Sequence, residues 1–250
     1  MPAMSSNAHP VVLVTGAGRR IGAAIVRTLH AAGYDIAAHA NHSRGELSSL
    51  LAELEAVRHG STVAMHADLA DPDAPDYLVS TALGRFERLD ALVNNASVFR
   101  PTPMGKIDVA QWDTLFNVNA RAPLLLAQAA APALHEAKGA IVNLVDIYAD
   151  RPLPEHPVYV MSKAALVAMT QALAIDLGPN VRVNAVAPGA ILWPQQGGAA
   201  ERRDDILART PLARAGSADE IANTVSWLLR DAGFITGQVI RVDGGRSLPV

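Results

Sequence analysis

The sequence contains no cysteine and few aromatic residues. None of its 250 residues is Cys, and only 4% are Phe, Trp or Tyr. The chain therefore has no disulfide framework and no cysteine-ligated metal centre, and a cytoplasmic location is the expectation. His9, His135 and His156 lack the spacing of metal ligands, so we interpret them as surface or loop residues and expect no metal.

The chain also lacks an excess of one charge and a long hydrophobic run. A formal net charge of −3 offers no general attraction to nucleic acid or to acidic membranes. No stretch approaches the roughly 18 apolar residues of a membrane span. Met1–Pro10 has neither the basic patch nor the apolar core of a secretion signal, and we expect a loose tail there. The expected partners are small molecules and further copies of the chain.

Hydrophobic residues make up 50% of the chain and follow alternating strand and helix patterns. Such alternation is typical of a parallel sheet with helices on both faces, because each right-handed crossover covers one face. We therefore expect an α/β fold in which residues 11–250 form a single Rossmann-like doubly wound domain of about seven strands. The predicted strands are Val11–Thr15, Asp35–His39, Thr62–His66, Ala91–Asn94, Ala140–Val145, Arg182–Val186 and Val239–Val242. The predicted helices are Ile21–Ala32, Gly45–Arg58, Ala74–Phe86, Asn119–Ala137, Val158–Leu177 and Ala218–Leu229.

The segment from about residue 192 to residue 210 departs from this pattern. It contains two adjacent glycines, Gly197 and Gly198, followed by a charged run. Such a segment is typical of a mobile lid over the C-terminal edge of the sheet. Leu192 and Trp193, at its start, are candidate substrate contacts, although Trp193 can equally serve to bury part of the lid.

A glycine-rich turn follows the first predicted strand and reads Thr15-Gly16-Ala17-Gly18-Arg19-Arg20-Ile21-Gly22. Its glycines let backbone N–H groups approach a pyrophosphate at a helix N-terminus, although glycine-rich turns also serve packing alone. Arg20 stands where the usual pattern Thr-Gly-x-x-x-Gly-x-Gly has its middle glycine. Its side chain can face phosphates or lie solvated on the surface.

The second predicted strand lacks the Asp or Glu that binds the ribose 2′-hydroxyl in an NAD site. His42, Ser43 and Arg44 follow that strand instead and, with Arg20, can neutralise and hydrogen-bond a 2′-phosphate. The sequence thus favours NADPH over NADH, and the alternative is a polar surface loop.

Short polar motifs follow several later strands. Ligands bind beyond the carboxyl ends of strands in an open parallel sheet, so these motifs fall on the expected binding edge. Each alone is ambiguous, because Asp and Asn also cap and turn chains after strands. The residues are Asp68-Leu69, Asn94-Asn95-Ala96-Ser97, Asn119 farther along, and Pro188-Gly189.

The predicted catalytic group is Asp146, Tyr159 and Lys163. Tyr159 and Lys163 share a helix face, so we expect the ammonium to favour the ionised phenol. Asp146 ends a strand where a common reductase pattern has serine. An ionised carboxylate disfavours a ketone, whose oxygen gathers negative charge, but it can accept hydrogen bonds from the N–H groups of a different substrate or join a proton relay. Its alternative role is to cap the loop after the strand.

From Val11 to Leu248 the sequence resembles the short-chain dehydrogenase/reductase family. The motifs occur in the family's order: the glycine turn, Asn94-Asn95-Ala96, Asn119, Tyr159-x-x-x-Lys163, Pro188-Gly189 and Val242-Asp243-Gly244-Gly245. Three departures from the general pattern resemble pteridine reductases, including dihydromonapterin reductases. They are Arg20 in place of a glycine, the run Asn94-Asn95-Ala96-Ser97-Val98-Phe99-Arg100-Pro101-Thr102-Pro103, and Asp146 in place of serine.

The resemblance implies a role for each motif residue. For the cofactor phosphates, it implies contacts from Gly16, Gly18, Arg20, Ile21 and Gly22, and for the 2′-phosphate it implies contacts from His42, Ser43 and Arg44. It implies that Asp68 and Leu69 contact the adenine and that Asn94 and Ala96 contact the neighbouring ribose. It also implies that Lys163 binds the nicotinamide ribose beside Tyr159, and that Pro188 and Gly189 lie at the same edge of the sheet. For a pterin, it implies Arg20, Ser97, Phe99, Asp146 and Tyr159, with Phe99 stacking on the flat ring, and Asn119 supporting the geometry. It also implies a homotetramer.

The leading hypothesis from the sequence is NADPH-dependent reduction of dihydropterins, with oxidised pterins and dihydrofolate as further candidate substrates. A general carbonyl or 3-oxoacyl reductase of the same fold is the first alternative. A non-catalytic NADPH-binding sensor or scaffold is the second, and the presence of Tyr159, Lys163 and Asn119 argues against it.

Overall fold

The computed structural model describes residues 9–191 and 199–248. The strands in this part are β1 Val11–Val14, β2 Asp35–His39, β3 Thr62–Met65, β4 Ala91–Asn94, β5 Ala140–Leu144, β6 Arg182–Pro188 and β7 Val239–Val242. The α-helices are α1 Arg20–Ala31, α2 Arg44–Val57, α3 Ala74–Phe86, α4 Val109–Phe116, α5 Ala122–Ala137, α6 Pro157–Asp176, α7 Ala199–Ala208 and α8 Ala218–Arg230.

The described strands form one seven-stranded sheet in the order β3-β2-β1-β4-β5-β6-β7. Every neighbouring pair is parallel. The predicted Rossmann-like α/β fold is confirmed. The strand order reverses between β1 and β4, where Val14 pairs with Val93. A crevice opens at such a reversal at the carboxyl ends of the strands, which is where open α/β sheets bind ligands.

Successive residues of β1 enter different cores because strand side chains alternate between faces. Val12 and Val14 pack with the apolar residues of α1, α2 and α8. Val11 and Leu13 pack with those of α3 and α5 on the other face. Both faces of the sheet are therefore covered by helices, which explains why the strands read as continuous apolar runs rather than as alternating ones.

The structure differs from the sequence prediction before α5. The helix predicted from Asn119 begins at Ala122, and a π-helical turn at Asn117–Arg121 joins it to α4, which was not predicted. A capping box formed by Asp108 and Gln111 starts α4. That Asp-x-x-Gln pattern was present in the sequence, but the helix behind it has only eight residues and buries only Leu115.

The predicted lid and the predicted tail lie partly outside the described residues. Leu192 and Trp193 fall in the gap between residues 191 and 199, and of the tail only His9 and Pro10 are described. The rest of the lid region contains α7, which was not predicted because its charged run has no apolar stripe. The lid, the tail and the single-domain boundaries stay predictions.

Among the described residues, α6 alone is long and apolar enough to pass as a membrane span by length and composition. It also buries Tyr159, Ser162 and Lys163, and its apolar residues pack against strands of the sheet. A helix with polar groups turned into the protein is typical of a core helix, and we interpret α6 in that way.

The glycine turn is packed too tightly for a side chain at Gly22. A Cβ atom there would overlap the carbonyl oxygen of Gly16 and approach Nδ2 of Asn95 to 2.7 Å. In contrast, a Cβ at Gly84 in α3 meets nothing within 4 Å.

We predict that Gly22→Ala lowers the free energy of unfolding by about 1 to 3 kcal/mol, because the turn must shift to admit the methyl group. Gly84→Ala is the matched control and should raise it by about 0.5 to 1 kcal/mol through helix propensity. Urea denaturation of both variants measures the difference. Equal effects from the two substitutions would show that the turn is not closely packed.

Candidate active site

The site begins where the glycine turn meets the end of β4. The Asn95 side chain donates hydrogen bonds to the carbonyls of Thr15 and Gly16, at 2.9 and 3.0 Å. The hydroxyl of Thr15 accepts from the backbone N–H groups of Asn95 and Ala96, at 3.0 and 3.1 Å. Asn95 thus holds the turn in place, a role that its position in the Asn94-Asn95-Ala96 motif did not indicate.

His39, at the end of β2, fixes the turn from the other side. Its carbonyl accepts from the Ala17 N–H at 2.8 Å, and its Nδ1 accepts a longer hydrogen bond from the Gly16 N–H at 3.4 Å. Its Nε2 lies 3.0 Å from the Ala67 carbonyl. Burial lowers the pKa of His39, which favours the neutral ring that this pattern requires. Nothing in the sequence marked His39, because its contacts come from distant segments.

Arg20 occupies a backbone conformation that favours glycine. Its φ is +54°, in the left-handed region, at the first residue of α1. This explains why the usual pattern has glycine here. Placing a side chain there costs about 1 to 2 kcal/mol, and non-glycine residues with such strain concentrate at functional sites.

The residues predicted around a 2′-phosphate lie beside the turn. A Cβ at Gly18 would overlap the Ser43 side chain, so the turn and the loop after β2 are in direct contact. His42 and Arg44 are exposed. Arg44 begins α2, and its Nε donates to the Asn41 carbonyl at 3.3 Å. The structure therefore brings this group to the glycine turn, as the sequence predicted, while its phosphate role stays a prediction.

The predicted adenine and ribose residues have different degrees of burial. Asp68 is exposed and accepts from the Ala70 N–H at 2.9 Å, whereas the Leu69 side chain is buried in the core. Asn94 is buried and donates to Oδ1 of Asn143 at 2.8 Å. Its own Oδ1 is a buried acceptor without a hydrogen-bond partner in the described structure. A buried orphan acceptor at a sheet edge fits a ligand that brings a donor, such as a hydroxyl group.

Pro188 and Gly189 lie at the same edge. Pro188 ends β6 opposite Val242, and the Gly189 N–H donates to the Val242 carbonyl at 3.0 Å. A Cβ at Gly189 would lie 2.7 Å from the Cα of Asp243. The glycine therefore permits the close approach of the two chain segments.

Asp146 and Tyr159 are joined by a hydrogen bond. The Tyr159 hydroxyl donates to Oδ2 of Asp146 at 2.7 Å, and Oδ1 accepts from the Tyr148 N–H at 2.9 Å. Asp146 lies two residues beyond the end of β5, and Tyr159 lies in the first turn of α6. The predicted adjacency of carboxyl group and phenol is confirmed, and the capping role considered as its alternative is present as well, through Tyr148.

Burial governs the protonation of this group. It raises the pKa of Asp146, although the hydrogen bonds from Tyr148 and Tyr159 and the charge of Lys163 oppose the change. Burial, followed by the charge of Asp146, raises the pKa of Tyr159 well above 10. Burial also lowers the pKa of Lys163 to about 8.

The expectation that Lys163 favours an ionised Tyr159 was therefore wrong. The Lys163 ammonium donates to the Leu144 carbonyl at 2.8 Å and lies 6.0 Å from the centre of the Tyr159 ring. Shared helix faces bring two residues near one another, but they do not decide which interaction dominates. Here the removal of water and the neighbouring carboxyl group outweigh the lysine.

The π-helical turn places Asn119 inside the site. Its Oδ1 accepts from the Val98 N–H at 2.8 Å and from the Ser97 hydroxyl at 3.2 Å. Its Nδ2 donates to the Val98 carbonyl at 2.9 Å and to the Ser162 hydroxyl at 3.0 Å. Asn119 thus ties the segment after β4 to α6, which agrees with its predicted role as a supporting residue.

Phe99 and His156 form an aromatic wall beside Tyr159. Phe99 stacks on His156 with ring centres 4.7 Å apart and planes at 16°, and it meets Tyr159 edge to face, also at 4.7 Å. His156 was interpreted as a surface or loop residue, and it does lie in the loop before α6, but its contact with Phe99 also places it beside Tyr159. Its contact with Phe99 joins segments 57 residues apart, and no local pattern signalled it.

Two further observations concern residues outside the site. Trp112 and Phe116, four residues apart on α4, stack with ring centres 4.2 Å apart. In the ranges 9–191 and 199–248, no group of three or more His, Asp or Glu residues is arranged to hold a metal ion.

We predict that stability rises with pH as Lys163 titrates. Its pKa is about 8 in the folded protein and 10.5 when unperturbed, so the unfolded chain binds more protons between these values and the free energy of unfolding increases with pH. The full effect is on the order of 3 kcal/mol. Chemical denaturation of the nucleotide-free protein from pH 7 to 10 measures it against Lys163→Met, which lacks the titrating group. A difference between the two proteins that does not change with pH would contradict the prediction.

Comparison with known proteins places these features among reductases. The family model described as enoyl-(acyl carrier protein) reductase matches residues 16–247. Pteridine reductase 1 of Leishmania tarentolae is 34% identical in an alignment that covers 98% of each chain. The 3-oxoacyl-[acyl-carrier-protein] reductase FabG of Staphylococcus aureus is also 34% identical, over 93% of this chain and 96% of its own. A blue fluorescent protein from a metagenomic library, crystallised with NADPH, superposes with a TM-score of 0.89 at 36% identity, covering 95% of this chain and 97% of its own.

Proposed function

Since the chain belongs to the short-chain dehydrogenase/reductase family, we propose that it is an NADPH-dependent reductase whose substrates are pterins. The reaction reduces dihydropterins to tetrahydropterins, with fully oxidised pterins and dihydrofolate as candidate further substrates. The matching family model and the relatives support the oxidoreductase activity. The choice of a pterin rests on Asp146.

The hydrogen bond between Asp146 and Tyr159 carries the proposal. The Tyr159 hydroxyl, the expected proton donor, lies 2.7 Å from the Asp146 carboxyl oxygen, so a substrate that reaches the phenol also meets the carboxyl group. A ketone oxygen offers lone pairs and gathers negative charge during reduction, so an ionised carboxylate beside it raises the barrier. A pterin instead presents ring N–H and NH₂ donors, and the nitrogen of its reducible C=N bond must gain a proton. The pair of side chains therefore suits a nitrogen heterocycle better than a ketone.

Burial also shifts the pKa values of Asp146 and Tyr159 in the direction that suits proton transfer. The raised pKa of Asp146 makes its carboxyl group easier to protonate than that of an exposed aspartate, and the raised pKa of Tyr159 keeps the phenol protonated. When Asp146 carries a proton, it can donate to the phenol oxygen. The phenol proton is then directed to the substrate nitrogen, as in general acid catalysis.

The residues at the sheet edge fit a phosphorylated dinucleotide. Gly16, Gly18 and Gly22 keep the turn free of side chains, and Arg20 adds a cation at the N-terminus of α1. The loop of His42, Ser43 and Arg44 lies against that turn and carries no carboxylate, which favours a 2′-phosphate. NADPH, when bound, supplies the hydride for a ring carbon. Lys163 and the orphan Oδ1 of Asn94 provide a buried donor and a buried acceptor for ribose hydroxyl groups.

The resemblance also implied a homotetramer, which we retain as a proposal. Exposed apolar side chains on α5 and α6 support association with further copies of the chain. They are Leu124, Met161 and Ile175.

We predict that the purified protein oxidises NADPH in the presence of dihydrobiopterin, dihydromonapterin or dihydrofolate, and that NADH is a poorer donor. Tyr159→Phe is the control, and it should lower kcat by about 100-fold or more because the proton donor is lost. Absorbance at the nicotinamide band follows the reaction. Failure with all three substrates at high enzyme concentration would refute the pterin assignment. Unchanged turnover by Tyr159→Phe would show that the phenol is not the proton donor. It would favour the alternative hypothesis of a non-catalytic NADPH-binding sensor or scaffold.

A general carbonyl or 3-oxoacyl reductase is the second candidate. The S. aureus relative named as a 3-oxoacyl-[acyl-carrier-protein] reductase is as similar in identity as the pteridine reductase relative. The side chain at position 146 distinguishes the two candidates, because a hydroxyl group donates to a carbonyl oxygen and an ionised carboxylate does not.

We predict that Asp146→Ser lowers kcat/KM for dihydropterins by about 100-fold or more and leaves the Kd for NADPH within about twofold. It should also admit ketone substrates. Asp146→Asn is the matched variant, because it keeps the shape and the acceptor oxygen but cannot take up a proton. We expect it to lose pterin activity without gaining ketone activity. If the native protein prefers 3-oxoacyl substrates and Asp146→Ser leaves kcat/KM unchanged for both substrate classes, the assignment as a carbonyl reductase replaces the assignment as a pterin reductase.

A further inference from the structure

We propose that His156 is a positioning residue that holds the Phe99 ring in place as the wall against which a flat heterocycle stacks, so that it sets the affinity for the substrate and not for the dinucleotide. This inference rests on the proposed function, since it concerns the same site. It is based on the contacts that His156 makes with Phe99 and with its own chain.

Phe99 has one ring face engaged and remains largely exposed. Its side chain is 54% exposed although it contacts two rings. The face-to-face contact is with His156, at 4.7 Å and 16°, and the contact with Tyr159 is edge to face. The face of Phe99 turned away from His156 has no ring stacked parallel to it in the described part of the chain. A flat ligand that stacks on that face would form the third layer of a stack that begins at His156.

His156 is itself fixed by its backbone and by its ring. It precedes α6 as the N-cap residue, three residues before Tyr159 on the same helix. Its N–H donates to the Leu153 carbonyl at 3.3 Å, and its Nδ1 lies 2.7 Å from the Pro154 carbonyl. Because a carbonyl can only accept, the Nδ1 atom carries the hydrogen. A ring held in this way is a rigid support for its neighbour.

The loop of Phe99 is joined to the loop of His156 at a second place. The Thr102 N–H donates to the Glu155 carbonyl at 2.6 Å, and the Thr102 hydroxyl accepts from the Val158 N–H at 3.3 Å. Thr102 is fully buried. Asn119 fixes the same loop on the other side of Phe99 through Val98. With the backbone held on both sides, the ring torsions of Phe99 are the remaining freedom, and the stack on His156 restricts them.

The first arm of the test needs no substrate. A double-mutant cycle compares the unfolding of the native protein with His156→Ala, Phe99→Ala and the double variant. A coupling free energy distinguishable from zero supports the stack, and additive effects of the two substitutions would overturn the proposal.

The second arm measures substrate affinity. His156→Asn keeps a polar group and removes the ring, whereas His156→Phe keeps a flat ring and removes the nitrogens. We expect His156→Asn to raise the KM for dihydropterin about threefold to tenfold at a nearly constant kcat. We expect His156→Phe to keep the KM of the native protein, because it keeps a flat ring at this position. The Kd for NADPH should stay unchanged in both. If His156→Asn keeps the native KM, whether or not His156→Phe changes it, the positioning role is overturned and the proposed function is left intact.

A binding measurement separates failure of this inference from failure of the proposed function. Titration of pterin into the NADP⁺ complex, followed by fluorescence, reports stacking without turnover. If the native protein binds pterin without reducing it, and His156→Asn weakens that binding while His156→Phe does not, the proposed function fails and the positioning role stands. If the native protein does not bind pterin at all, both fail.

Discussion

The chemistry of this site depends on the exclusion of water from three ionisable side chains. Burial raises the pKa of Asp146, raises the pKa of Tyr159 and lowers the pKa of Lys163, so all three groups are shifted toward their uncharged forms by one cause. The hydrogen bond from Tyr159 to Asp146 forms in this partly buried environment. A carboxyl group and a phenol joined by a direct hydrogen bond can exchange a proton with each other more readily than a solvated pair, because water competes for the hydrogen bonds of solvated groups.

The three side chains meet because different elements deliver them to one edge of the sheet. Asp146 comes from the end of β5, Tyr159 and Lys163 come from α6, and the loop after β4 contributes Phe99. The buried polar residue Asn119 connects that loop to α6, with the π-helical turn supplying its position. The rigid strands and helices thus set the distances between the side chains of the site, and the loops only have to hold the positions of the residues that they carry.

Much of the fold followed from the sequence because buried parallel strands have a strong local signature. The bounds of β2, β4, β7 and α3 agree with their predictions, and the strand order explains why the motifs share one edge. The adjacency of Asp146 and Tyr159 was also predictable from the strand and helix that carry them. His39 and His156 were not, since their partners lie 23 and 57 residues away and neither histidine belongs to a pattern. The pKa of Tyr159 was misjudged for a related reason, because burial is a property of the whole fold.

Two departures from the general pattern each carry a local energetic cost, and both lie at the edge of the sheet that is expected to bind ligands. Arg20 holds a left-handed backbone that glycine would adopt without strain, and Asp146 buries a carboxyl group where serine would bury only a hydroxyl. We propose that an anionic dinucleotide at the phosphate turn and a donor-rich heterocycle beside the phenol offset these two costs when they bind. Paired costs of this kind are expected of a binding site rather than of a structural one, which is the physical reason for reading the two departures together.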